Sequence, residues 1–157
     1  MNGSYLQCLY VFIACLGFGV IFNLRGKKLF FAALGATLSW FVYLLCTGAG
    51  MDDTLCYFVA TVAIALYSEG MARLHKSPVT IYLVVSFLPL VPGSKIYYTM
   101  EYGMAGDTAR FLQTGLETCK IAGAIVAGIA LVSSVARLTT SFWRGWRRRQ
   151  GRSAPSR

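Results

Sequence analysis

Charged residues are scarce inside the apolar runs of this chain, so the few that occur there mark where chemistry could be done. Glu69 lies one turn inside the end of an apolar run and four residues before Arg73. Glu117 and Lys120 stand three residues apart at the entrance of another run. Both spacings place the two charges on one helical face, and the order Glu69 then Arg73 is the favourable one for a helical pair. An ionisable group at membrane depth is a candidate for binding substrate or carrying a coupling charge. The plainer reading of each pair is an ion pair at the membrane surface. The third such stretch is residues 77–100, SPVTIYLVVSFLPLVPGSKIYYTM. Pro89 and Pro92 each remove a backbone donor and break the helix, and Gly93 admits conformations that other residues avoid. Such a break survives at membrane depth only where protein or a wet cavity surrounds it. Broken helices often form the sites of secondary transporters, with half-helix ends near the midplane. A half-helix amino terminus with Ser94 can hold a carboxylate. Lys95 adds a cation, and Tyr97 and Tyr98 offer hydroxyl groups. Glu69 or Glu117 could take an amino group or the coupling proton. The competing reading of the break is a purely architectural kink.

The elements that must position these groups are membrane helices. The chain has 157 residues, 56% hydrophobic and only 13% charged, where a soluble domain is nearer a quarter charged. Five apolar runs cover residues 4–22, 29–47, 54–72, 79–103 and 119–138. The fold expected is an all-α integral membrane protein of five transmembrane helices, the fourth broken at residues 89–93. The first run lacks a basic flank and a cleavage site, so it reads as a mature helix rather than a signal peptide. Ala32, Gly35, Ala36 and Ser39 line one helical face, and Gly123/Ala127 and Ala124/Gly128 make two further small-residue steps; both are helix-packing signatures. Gly17 and Gly19 could likewise admit a neighbour, and Trp40 and Tyr43 suit an interface. Pro78 suits a helix start, and Asp107 offers an N-cap to the amphipathic stretch from residue 108.

Residues 1–141 form the membrane domain, and residues 142–157 a basic tail, disordered at its end. Trp143, Trp146 and the arginines around them suit an anchor on anionic lipid. Nucleic acid binding would use similar residues, but nothing else in the chain supports it. The five cysteines, at 8, 15, 46, 56 and 119, form no CxxC and read as small buried apolar residues. With the single His75 they suggest neither a metal site nor a cofactor. There is no phosphate-binding loop, no nucleophile elbow and no zinc-protease motif, so the chain does not read as an enzyme.

Charge sets the orientation. Arg25, Lys27, Lys28, Arg73, Lys76 and most tail arginines fall on one side of a five-helix path. Asp52, Asp53, Lys95, Glu101, Asp107 and Arg110 fall on the other. The positive-inside rule then places the amino terminus outside and the carboxyl terminus in the cytoplasm. An odd number of helices invites pairing with an inverted five-helix unit.

The string PLVPGS followed by IYYTM, at residues 89–94 and 96–100, resembles the central motif of the threonine/serine exporter family. Phe22-Asn23, Ser68-Glu69 and Gly115-Leu116-Glu117-Thr118 before Ala122-Gly123-Ala124 fit the same pattern, up to about Leu138. The chain is similar to the small five-helix subunit, equivalent to the carboxyl-terminal half of fused ten-helix exporters. The resemblance implies export of small polar metabolites across a bacterial cytoplasmic membrane, either threonine- and serine-like amino acids or dicarboxylates such as succinate. It also implies a larger five-helix partner subunit with a soluble amino-terminal domain. Lys95 departs from that pattern, and a cation there favours an acidic substrate. A reading from another class is a non-transporting membrane scaffold or assembly subunit docked through the tail.

Overall fold

A computed structural model describes the helical path from Asn2 to Gln150 and the side chains of residues 6–138. The Trp/Arg cluster of the tail lies outside the described side chains. The elements are α1 (Asn2–Ile21), α2 (Lys27–Gly48), α3 (Asp53–Leu74), α4 (Val79–Phe87), a 3-10 turn (Leu88–Leu90), α5 (Gly93–Met104) and α6 (Thr108–Gln150). Among the described residues all regular structure is helical. α2, α3 and the described part of α6 are each long and apolar enough to cross a membrane, and α4 with α5 makes a fourth path bent by 54°. The expected fifth crossing would be α1, whose described apolar part, Leu6–Ile21, is shorter than a full span.

Small residues bring the helices together. Ala32, Ala33, Gly35, Ala36 and Ser39 of α2 are all buried, the face expected from their spacing. A side chain on Gly35 would run into Ser86 of α4 and the Tyr67 ring of α3. With the backbones this close, polar groups are satisfied across the seam: Tyr67 Oη donates to the Phe31 carbonyl at 2.8 Å, and Ser86 Oγ to the Ala32 carbonyl at 3.2 Å. Membrane helices associate through such close packing and interhelical hydrogen bonds, since lipid supplies no hydrophobic drive. α3 meets α6 the same way: a Cβ on Gly128 would lie 3.1 Å from Thr61 Cβ and 3.4 Å from the Phe58 carbonyl oxygen. Only one of the two small-residue steps on α6 is used within the chain. Gly128 is buried and Ala124 half-buried, while Gly123 and Ala127 are exposed. At α1, Gly19 packs against Leu29 and Leu24, whereas Gly17 has open space beside it.

Local signals set the helix ends. Asp52 caps α3 by accepting from the Thr54 N–H at 3.1 Å. Asp107 Oδ1 accepts from the Arg110 N–H at 3.1 Å, the expected cap on α6. Pro78 occupies the N-cap of α4, one residue before its first helical position. Of the cysteines, Cys15 and Cys56 are buried, Cys8 and Cys46 are intermediate and Cys119 is exposed. The expectation of uniform burial therefore fails at Cys119, which lies on the open side of α6.

α5 and α6 run antiparallel. Lys95 meets Glu117, Thr99 lies against Gly115, and a Cβ on Gly103 would touch the Phe111 ring. No residue of α5 is buried. Tyr57, Ala60 and Ile64 of α3 share a core with Ile121 and Ile125 of α6, while α5 packs on the turns of α6 that precede Glu117.

Candidate functional site

The break is built by both prolines, each in its own way. Pro89 sits within the 3-10 turn, and Leu88 and Val91 make the short i→i+3 bonds that tighten it. Val91 is extended, and Pro92, at φ −76° and ψ 58°, turns the chain into α5. No side chain caps the amino terminus of α5. Gly93 does not have a positive φ. The conformational freedom expected of it is not used, because Pro92 makes the turn. The space beside Gly93 is open: a Cβ there would meet nothing within 4 Å. Ser94 beside it is exposed.

The first turn of α5 carries Lys95 into a charged cluster. Lys95 Nζ is 3.0 Å from Asp53 Oδ2 and 3.4 Å from Glu117 Oε2. The other oxygen of Asp53 accepts a hydrogen bond from Tyr43 Oη at 2.9 Å. The Tyr43 ring lies 4.8 Å from the Tyr57 ring and 5.2 Å from Trp40, which stacks on it. Trp40 Nε1 in turn donates to Gln7 Oε1 at 3.4 Å. These contacts join α1, α2, α3, α5 and α6 at one end of the bundle. The side chains of Lys95, Asp53 and Glu117 keep 30%, 41% and 44% of their exposure, so water and small solutes can reach them. One cation faces two carboxylates, which leaves the cluster with a net charge of −1.

This geometry revises several expectations. Lys95 and Glu117 come together, but Lys120 does not join them; it is exposed, and Glu117 pairs across to α5 rather than along its own helix. The reason is the antiparallel packing of α5 on α6, which brings a fully charged partner to Glu117 from another helix. Lys95 is not a free cation awaiting an acidic substrate, since two carboxylates already offset it. The first turn of α5 lies beside Asp53, the first residue of α3, and so at an end of the bundle rather than halfway along it. Tyr97 and Tyr98 are 64% and 50% exposed. Their rings meet edge to face at 5.6 Å, Tyr98 stacks with Tyr102 at 6.5 Å, and Arg110 covers Tyr102 at 5.7 Å. These tyrosines form an outward ladder along α5, away from the charges. Glu69 sits near the far end of α3, sixteen residues or roughly 24 Å from Asp53, where it pairs with Arg73 at 3.8 Å as its spacing predicts.

Asp53, Tyr43 and Tyr57 were not expected at this site. The available signal was topological: a five-helix path puts Asp53 and Lys95 on one side, and charges of opposite sign at one end of a small bundle tend to meet. Among the described residues no group of three His, Cys, Asp or Glu side chains is placed to hold a metal.

The profile of the threonine/serine exporter family, ThrE, matches residues 7–135. The chain belongs to the threonine/serine exporter family. The match covers every helix that contributes to the charged cluster and includes the whole break. Members of this family are membrane exporters and not enzymes, which agrees with the missing catalytic motifs. An uncharacterised protein of Haemophilus influenzae is 25% identical over 131 residues, covering 78% of this chain and 44% of that protein. The chain thus spans less than half the length of this curated relative. No solved structure matches the chain.

Proposed function

We propose that this chain is one subunit of a secondary transporter that exports threonine- or serine-like amino acids across a bacterial cytoplasmic membrane. The observation that carries the reading is the Lys95–Asp53–Glu117 cluster at the amino terminus of a half-helix, in a chain of the exporter family. A zwitterionic amino acid carries a carboxylate and an ammonium group. Lys95 and the open first turn of α5, with Ser94 and the space beside Gly93, can receive the carboxylate. Asp53 and Glu117 can receive the ammonium in place of Lys95. A dicarboxylate such as succinate would bring two negative charges to a cluster that already holds an excess one. The charge balance therefore favours the amino acid.

The subunit acts with a larger partner. Two features support this: the small-residue step at Gly123 and Ala127 faces outward, and α5 carries an exposed ladder of tyrosines with no residue buried. The longer Haemophilus relative has room for a second half in one chain. The basic loops after α1 and α3 face the cytoplasm and the Lys95 cluster faces outside, in accord with the positive-inside rule. On this reading the cluster binds the amino acid at the outer mouth, from which it is released.

The test is efflux of preloaded labelled threonine, serine and succinate from cells expressing the chain alone or with a larger family member. Efflux of threonine or serine, and not succinate, is expected when both chains are present. Succinate efflux that exceeds the amino acids would overturn the substrate reading. The Pro89→Ala/Pro92→Ala double variant should insert in the membrane and lose efflux; retained efflux would detach the break from the site.

A further inference from the structure

The opposite end of the bundle holds a second charged site that the transport reading does not use. An open cleft of about 500 Å³ is bounded by Glu69, Ala72 and Arg73 of α3, by Lys76, Ser77, Pro78 and Val79 at the start of α4, and by Ala136 and Arg137 of α6. Three cations face it against a single carboxylate. Glu69 engages the Nε of Arg73 at 3.8 Å. Lys76 and Arg137 have no carboxylate partner among the described residues. The cleft also lies against the amino terminus of α4, where Pro78 provides no side-chain cap and the N–H groups ahead of Ile81, which bonds the Pro78 carbonyl at 3.3 Å, have no intrahelical acceptor. Cations and a helix amino terminus on one cavity favour an anion with several acceptor oxygens. Ala72, Pro78, Val79 and Ala136 give the cleft an apolar side, and it opens on the flank of the bundle where the spanning helices end.

We propose that this cleft binds a phosphate group, and that its source is the headgroup of an anionic phospholipid. The cations take the phosphate oxygens, and the apolar side accommodates the first carbons of the glycerol and acyl chains. A free phosphate ion would use the cations and leave the apolar side bare. The site differs from the lipid anchor expected of the tail, since it is a formed cavity on α3, α4 and α6. It is also independent of which metabolite the chain exports.

The experiment uses the full chain, tail included, in detergent with phosphatidylglycerol or phosphatidylcholine, and counts retained lipid by native mass spectrometry. The variant Arg73→Gln/Lys76→Gln/Arg137→Gln keeps the side-chain lengths and removes the cleft's positive charge. The wild-type chain should prefer phosphatidylglycerol by roughly five- to tenfold, and the triple variant should lose most of that preference. Equal retention of the two lipids by the wild-type chain overturns the proposal. So does a preference unchanged in the triple variant, which would assign it to the tail. A competition arm adds inorganic phosphate at millimolar concentration. Persistent phosphatidylglycerol binding supports the lipid source, and complete displacement overturns it in favour of a soluble anion. The single variant Lys76→Gln, at an exposed loop position that leaves the fold intact, should lower the preference partway; no change in it would count against the cavity.

Discussion

α3 carries charge at both ends, and the two ends solve different problems. At its beginning, Asp53 joins Lys95 and Glu117 in a cluster tied by contacts of 3.0 and 3.4 Å and anchored by Tyr43. At its other end, Glu69 and Arg73 form a looser pair of 3.8 Å within one helix, beside Lys76 and Arg137, which have no carboxylate partner among the described residues. The first arrangement draws on three helices and fixes the position of α5. The second needs only the spacing of residues along α3. Both follow the helix dipole, with the acid in the first turn and the base in the last. A pair across helices carries structural information, because it forms only when the fold is right. A pair within one helix forms wherever that helix forms.

The largest predicted effect comes from removing the cation on which the first cluster turns. Lys95→Ala leaves Asp53 and Glu117 facing each other and releases the first turn of α5. Loss of a charge-assisted hydrogen-bond pair of about 1.5–3 kcal/mol corresponds to a ten- to hundredfold fall. Efflux should drop by about that factor at unchanged membrane level. Arg73→Ala at the other end should change efflux by less than about twofold, since an exposed i,i+4 pair contributes about 0.3–0.5 kcal/mol. Equal losses from the two variants would erase the contrast between the ends.

Next in size is a change that strikes both ends at once. Gly128 lies on the seam of α3 and α6 that joins them, and any Cβ there crowds Thr61 and the Phe58 carbonyl. Gly128→Val should destabilise the bundle by about 1–3 kcal/mol through overpacking, read as a lower midpoint of thermal unfolding in detergent. Gly123→Val on the same helix meets open space and should leave that midpoint unchanged. Reduced co-purification of a partner chain by Gly123→Val would then identify the outward small-residue face as the partner's.

How far the sequence alone reaches depends on whether a signal is local. The buried face of α2 was legible because Ala32, Gly35, Ala36 and Ser39 recur at helical steps. The cap at Asp107, the break at residues 89–93 and the Glu69–Arg73 pair were legible because they too are local; the cap at Asp52 was not read from the sequence. The Lys95 cluster was not, since its members lie 42 and 22 residues apart in sequence. Nearness along the chain suggested Lys120 as the partner of Glu117. The antiparallel packing of α5 on α6, which sequence spacing does not encode, supplied Lys95 instead. Tyr97 and Tyr98 were drawn into the site by adjacency to Ser94. They stand three and four residues after Ser94, which is itself exposed, so they share its outward face.

The smallest predicted effect separates the two possible partners of Glu117 directly. A double-mutant cycle between Lys95→Met and Glu117→Gln should give a coupling of about 0.5–1 kcal/mol, because both groups keep substantial solvent exposure and the pair is partly screened. The cycle between Lys120→Met and Glu117→Gln should give a few tenths at most, the value of a solvated i,i+3 pair. Thermal unfolding in detergent at low salt supplies the free energies. Raising the salt from 50 to 500 mM should shrink the first coupling without abolishing it, since the Lys95–Glu117 contact is partly buried and so only partly screened. A larger coupling for Lys120 would mean that α5 does not dock on α6 as described. The contrast between a cross-helix cluster and a within-helix pair would then lose its basis.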